Sequence, residues 1–159
     1  MTAPLIIGID PGLSGAIAIL SADGGLTVHD MPTHRLTRTE LDLSALATIF
    51  DNLTKATAPV AFLERVGAMP GQGVASMFKF GTCYGALQGL LAAHFIPVTL
   101  VTPQSWKRAM GCPAGKDGAR ARASQLLPRH AGLWPLKKHD GRAEAALIAL
   151  YGQRQGGAA

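Results

Sequence analysis

Cysteine is scarce: Cys83 and Cys112 are the only two in 159 residues. Two thiols make neither a disulfide scaffold nor a zinc site, so the expectation is reduced thiols and a cytoplasmic setting. Charged residues are also few, at 16%, against 48% hydrophobic. Disordered chains show the opposite balance, so a packed core is expected. Long apolar runs are missing. The most apolar stretch, residues 86–101, is broken by Gln88, His94 and Pro97 and falls short of the ~20 apolar residues of a membrane-spanning helix. The opening Met1-Thr2-Ala3-Pro4 has no basic segment, so no secretory signal is expected. The 19 glycines and 10 prolines follow no period, which excludes collagen-like and low-complexity chains.

The positive charge that is present is unevenly placed. Residues 1–100 carry 5 Lys and Arg against 7 Asp and Glu, while residues 101–159 carry 10 against 3, within an overall formal charge of +5. A basic C-terminal third points to a polyanionic partner, with a merely solubilising surface as the plain alternative.

Residues 5–10 (LIIGID) form a short apolar run ending in a carboxylate. Pro11-Gly12 turns the chain into a second run, residues 15–20, and Asp23-Gly24-Gly25 turns it into a third, residues 26–31. Two tight connections in succession predict an antiparallel meander. Thr37-Arg38-Thr39-Glu40 reads as a capping box, and the apolar spacing that follows predicts a helix from Leu41 to about Lys55. After Pro59, the run VAFLE ends in Glu64. A strand reached through a helix normally pairs in parallel. Residues 67–73 read as a loop and residues 74–95 as a long helix. In that helix Gly81, Gly85 and Gly89 share one face, which suggests that a backbone approaches there, from either the sheet or a second subunit. Residues 97–101 predict a strand, and Thr102-Pro103 an N-cap followed by a helix to Met110. Residues 116–127 read as a helix, 128–138 as loop, and 140–153 as the last helix. The sum is an α/β fold of the ribonuclease H kind: a mixed five-stranded sheet, an antiparallel meander plus parallel strands, flanked by helices.

Asp10 and Glu64 both end apolar strands, the edge where ligands gather in α/β sheets. The alternative for Asp10 is a turn residue. Asp140 and Glu144 stand at i and i+4, on one face at the start of a helix that is almost wholly apolar beyond them. Capping explains Asp140, but not Lys137 and Lys138 at the same end, where the helix dipole disfavours them. Four acids without a thiolate pair select Mg²⁺ or Mn²⁺, and two such ions suit phosphodiester chemistry. His139 is open as a ligand in place of Asp140, or as a general base. Trp106 and Trp134 are candidates for base stacking, with core packing the alternative.

GIDPGLSGAIA (residues 8–18), FLERV (62–66), KFGTCYGAL (79–87), TPQSWKRAMG (102–111) and KKHDGRAEAALIA (137–149) together resemble the RuvC family of Holliday junction resolvases, in order and across nearly the whole chain. The resemblance implies a homodimeric, Mg²⁺-dependent endonuclease, with Mn²⁺ as substitute. It would resolve four-way and other branched DNA by paired symmetric nicks that leave 5′-phosphate and 3′-hydroxyl ends, in DNA recombination and repair. It implies metal ligands at Asp10, Glu64, Asp140 and Glu144, and catalytic lysines at Lys107 and Lys116. Phosphate contacts are expected from Lys107, Arg108, Lys116, Arg120, Arg122, Lys137, Lys138 and Arg142, although Arg120 and Arg122 cannot face the same way on one helix. The chain departs from the bacterial pattern in three places. The last acid is Glu144 rather than aspartate, the acid pair is i, i+4 rather than i, i+3, and Gly67-Ala68-Met69-Pro70 stands where bacterial members carry an aromatic wedge. A phage or prophage enzyme, cytoplasmic and nucleoid-associated, fits these departures better than a housekeeping one. Residues 1–155 are expected to form one nuclease domain, with a disordered tail at 156–159. Two other readings remain: a non-catalytic branched-DNA-binding module, and an actin- or sugar-kinase-like ATP-binding domain sharing the G-I-D-x-G opening.

Overall fold

Alternation along the first strand decides how the molecule is layered. In the computed structural model, which describes residues 3–156, β1 (Ile6–Asp10) buries Ile7 and Ile9 on one side and Ile6 on the other. Side chains alternate across a strand, so Gly8 and Asp10 share the side of Ile6. β2 (Ala16–Leu20) and β3 (Leu26–Asp30) follow as the expected antiparallel meander. β6 (Val60–Glu64) pairs in parallel with β1, and β7 (Val98–Val101) in parallel with β6. The sheet order is β3-β2-β1-β6-β7, the mixed five-stranded sheet expected from the sequence.

One face of the sheet is covered by α1 (Leu43–Ala56) and α2 (Val74–Ala93), whose Leu46, Phe50, Leu87 and Leu91 close over Ile7, Ile9, Ala61 and Leu63. The other face receives α3 (Pro103–Met110), α4 (Gly118–Leu126) and α5 (Asp140–Gly156). In α5, Ala143, Ala145, Ala146, Leu147, Ile148 and Ala149 are wholly buried. Alanines allow a close approach, and Gly8 completes it. A Cβ at Gly8 would lie 2.2 Å from the Ala145 carbonyl oxygen and 2.4 Å from the Ala149 nitrogen.

Four expectations need correction. The capping box at 37–40 does not form. Thr39–Leu41 is instead a strand, β5, hairpinned with β4 (Thr33–Arg35), and Asp42 caps α1 by accepting from the Ala45 N–H at 2.9 Å. An aspartate two residues on is the better acceptor for the first turn, and it frees Thr39-Glu40-Leu41 to pair as a strand. The Gly81, Gly85 and Gly89 strip does not meet the sheet: a Cβ at any of the three would meet nothing within 4 Å. The buried stripe of α2 is Cys83, Leu87 and Leu91; the glycines stand two residues away from it, which is nearly opposite on a helix. Residues 128–138 are not plain loop, since Pro128–Leu133 and Lys137–His139 form 3₁₀ turns. Finally, α5 runs through Gly156, and the rest of the expected tail, residues 157–159, lies outside the described residues. Among the described residues no helix is long and apolar enough to cross a membrane.

Candidate functional site

The same alternation puts two carboxylates side by side. Ile9 of β1 is in register with Leu63 of β6, so the following residues, Asp10 and Glu64, end neighbouring parallel strands on the α5 face. α5 then delivers Glu144 from its first turns. Gly141 makes room for this: a Cβ there would lie 2.5 Å from the Ser14 carbonyl oxygen and 3.1 Å from Asp10 Oδ2. Asp10, Glu64 and Glu144 each offer an oxygen such that the three lie within 4.8 Å of one another.

Such a group resists ionising. Burial first, and then the charges of Glu144, Glu64 and Asp140, push the Asp10 carboxyl well above the usual carboxylate range. Glu64 is raised by burial. Glu144 is raised by burial and by Glu64 and Asp140, against the opposing pull of Lys107. Asp140 is raised by burial. It stands outside the tight trio but close enough to act on Asp10 and Glu144, and its Oδ1 is buried with no hydrogen-bond partner. Hard oxygens that repel one another, with a fourth left unpartnered beside them, fit a divalent cation of the Mg²⁺ or Mn²⁺ type.

α3 closes the site from the side. β7 ends in register with Glu64, which pairs with Val101; Thr102 then caps α3, and its Oγ1 accepts from the Ser105 N–H at 3.2 Å. The next two residues reach the acids. Trp106 Nε1 donates to Glu64 Oε2 at 2.6 Å, and Lys107 Nζ lies 3.3 Å from Glu144 Oε1 and 5.2 Å from the Trp106 ring centroid. Burial pulls the Lys107 ammonium down, but Glu144 and Glu64 outweigh it and leave its pKa raised, so the charge is secure.

The other expected residues separate. Trp106 and Trp134 are both fully buried, and Trp134 Nε1 donates to Ser124 Oγ at 3.0 Å; neither presents a ring for base stacking. His139 is outside the trio, and its Nδ1 accepts from the Leu136 N–H at 3.2 Å. Three arginines turn into the fold. Arg142 forms a forked pair with Asp30, at 2.6 and 2.7 Å, and donates to the Leu133 carbonyl. Arg120 donates to Asp117 and to the Trp134 and Pro135 carbonyls. Arg122 donates to the Met110 carbonyl and Gln125. Arg108, Lys116, Lys137 and Lys138 are exposed and have no salt-bridge partner among the described residues.

A cleft of about 600 Å³ opens beside Asp10 and Asp140, lined by Lys137 and Lys138 on one wall and by Ser76 and Lys79 of α2 on the other. Sequence reasoning passed over Lys79. Its signal was isolation: it is the only charged residue in the 20 residues of α2.

No protein-family model matches this sequence, and no curated protein matches it. Solved structures do. RuvC of Thermus thermophilus in complex with a Holliday junction substrate is similar at TM-score 0.62 and 16% identity, over 97% of both chains. A second Thermus thermophilus RuvC structure gives 0.58 and 16%, over 96% of both. The yeast mitochondrial Holliday junction resolvase Ydc2 gives 0.58 and 18%, over 93% of this chain and 77% of that one. The chain therefore has the fold of the RuvC-like Holliday junction resolvases.

Proposed function

We propose that this protein is a divalent-metal-dependent, structure-selective endonuclease that resolves Holliday junctions and related branched DNA, acting through one nuclease domain over residues 1–155. The observation that carries this reading is the trio of Asp10, Glu64 and Glu144, brought from three distant segments to within 4.8 Å beside a cleft with lysines on both walls. A likeness to resolvase structures supports the choice of substrate.

Asp10, Glu64 and Glu144 would hold Mg²⁺, with Mn²⁺ as substitute, and Asp140 would supply the fourth carboxylate in preference to His139, whose Nδ1 is engaged by the Leu136 amide. When bound, such ions activate water and stabilise the leaving oxygen of a phosphodiester, leaving a 5′-phosphate. Lys107 neutralises Glu144 and stands ready to face the scissile phosphate, with Lys116 as a second, exposed candidate. Lys79, Arg108, Lys116, Lys137 and Lys138 keep their charges outward for phosphates. Arg120, Arg122 and Arg142 spend their donors on the fold.

Paired nicks require two sites related by symmetry. The outer face of α2 suits a second copy of the chain. Phe78 is 77% and Val74 85% exposed, and the neighbouring glycines leave a backbone open to approach. A dimer at twice the 16.6 kDa chain mass is expected in sedimentation equilibrium.

A nicking assay on a labelled four-way junction, beside duplex, flap and single-strand controls, tests the proposal. Symmetric nicks are expected only with Mg²⁺ or Mn²⁺. Asp10→Asn combined with Glu64→Gln should abolish them and spare junction binding. A wild-type protein that binds junctions but never nicks them with either metal sinks the enzyme reading in favour of a binding module.

A further inference from the structure

Trp106 is an unusual residue to find against a carboxylate. Its ring is wholly buried beneath α5 and among the packed residues of α3 and α4. A buried indole still needs a partner for its N–H, and the sequence supplied Ser124 for Trp134. For Trp106 the partner is Glu64 Oε2, at 2.6 Å and 42 residues away. No other side-chain hydrogen bond to Glu64 is formed among the described residues, so Oε1 has no protein donor. Glu64 is the longest reach from the sheet into the acid trio, and it has three torsions to fix. A neutral donor fixes it without placing a competing cation on the same oxygen.

The ring is wholly buried, on a helix fixed at both ends. Thr102 caps α3 and Pro103 opens it, Gly111 closes it in the left-handed conformation, and Met110 is buried one turn on. Lys107, the next residue, pairs with Glu144. One short helix thus sets two of the three acids by different means: a charge for Glu144 and an indole N–H for Glu64.

We propose that Trp106 is a positioning residue for the metal centre: by occupying Glu64 Oε2 it holds the carboxylate in one orientation and assigns Oε1 to the ion. This rests on the metal-centre reading above and goes beyond it, since Trp106 is wholly buried and acts through Glu64. Donors that orient a ligand in this way typically carry a 10–100-fold share of metal affinity.

The test uses Mn²⁺ binding to the full chain without DNA, followed by calorimetry, with thermal unfolding beside it. Trp106→Phe keeps the packing ring and removes the donor; it should weaken Mn²⁺ binding by about tenfold or more. Trp106→His keeps a ring N–H and should recover a large part of that loss. Asp10→Asn sets the level for a broken site. The spectroscopic arm uses Trp134→Phe, in which Trp106 is the remaining tryptophan. Adding Mg²⁺ should change its emission with a saturation that vanishes in the Asp10→Asn background. This arm leaves Trp106 in place and decides the matter if Trp106→Phe does not fold. A folded Trp106→Phe that binds Mn²⁺ like wild type overturns the proposal alone, provided that Asp10→Asn still loses the metal. So does a loss that His does not recover together with silent Trp106 emission, which would leave the residue a packing role only. A wild-type protein that binds no Mn²⁺ overturns both this inference and the metal-centre reading.

Discussion

Asp10 shows how far the metal-free site is from electrostatic rest. It is held among Glu144, Glu64 and Asp140 at the end of a buried strand, and its carboxyl is raised by burial and by all three. A carboxyl raised in the folded state binds its proton more tightly there than in the unfolded chain. Its contribution to stability is full below the unfolded carboxylate range and is lost as pH rises through the raised folded value. In EDTA, stability should therefore fall at this site between acid and neutral pH. Asp10→Asn removes the charge and keeps the shape. It should raise the metal-free stability at neutral pH by about 1 kcal/mol, or roughly 2–4 °C in Tm for a chain of this size; it should also flatten the pH dependence. Scanning calorimetry of both proteins across pH checks this, and a variant less stable than wild type in EDTA would show that repulsion is not what the site stores. The three acids of the trio were legible in the sequence because strand ends and helix spacing are local patterns. Trp106 as the partner of Glu64 was not, because the two are joined only by the parallel register of β6 and β7. The same holds for Arg142, whose partner Asp30 is 112 residues away: a charge in sequence gives no sign of whether a distant strand will neutralise it.

At the level of elements, the sequence was read well wherever one period dominated and poorly where two signals overlapped. β1, β2, β3, β6 and β7 are short runs with Gly or Pro directly beside one end (Pro11, Gly15, Gly25, Pro59 and Pro97), and all five fall where the pattern placed them. Between β3 and α1 the stretch 37–42 holds both a Thr-x-x-Glu spacing and an aspartate, and the aspartate prevailed. Two substitutions separate the possibilities. Asp42→Ala should cost about 1 kcal/mol, whereas Thr37→Ala should stay within ~0.5 kcal/mol as an ordinary surface change. Urea unfolding of the two variants measures the difference, and equal losses would restore the capping box. The tightest element contact, β1 against α5, allows a sharper statement. Gly8→Ala puts a methyl within 2.2 Å of a helix carbonyl oxygen, and backbone on both sides leaves no flexible side chain to yield. Overpacking of this kind costs about 1–3 kcal/mol or more. Because β1 and α5 carry Asp10 and Glu144, the same variant should weaken Mn²⁺ binding even where it remains folded, which calorimetry on the folded fraction would reveal.

Across the whole molecule the basic C-terminal third was legible as a bias, but its useful part was not. Of the expected phosphate contacts, Arg122 ties α4 to the end of α3, and Arg120 and Arg142 hold α4 and α5 to the turns between them, while Lys137 and Lys138 flank the cleft next to the acids. Lys79, from the first 100 residues, where acids are in excess, lines that cleft from the α2 side. A net charge counts all of these alike; the fold sorts them into struts and free cations. Binding to DNA should therefore respond differently to the two classes. Each phosphate contact contributes about 0.9 to the slope of log affinity against log salt on duplex arms. Lys137→Ala with Lys138→Ala should lower the slope for four-way junction binding by between one and two and leave thermal stability nearly unchanged, and Lys79→Ala should lower it by about one. Arg142→Ala should do the reverse. It leaves Asp30 without its forked partner and the Leu133 carbonyl without its donor, so the melting temperature should drop while the salt slope stays close to wild type. Fluorescence anisotropy on a catalytically silent Asp10→Asn background, read across a salt series, gives each slope directly. A full unit lost on Arg142→Ala would mean that the Asp30 pair opens to DNA, and that the division between struts and free cations is drawn in the wrong place.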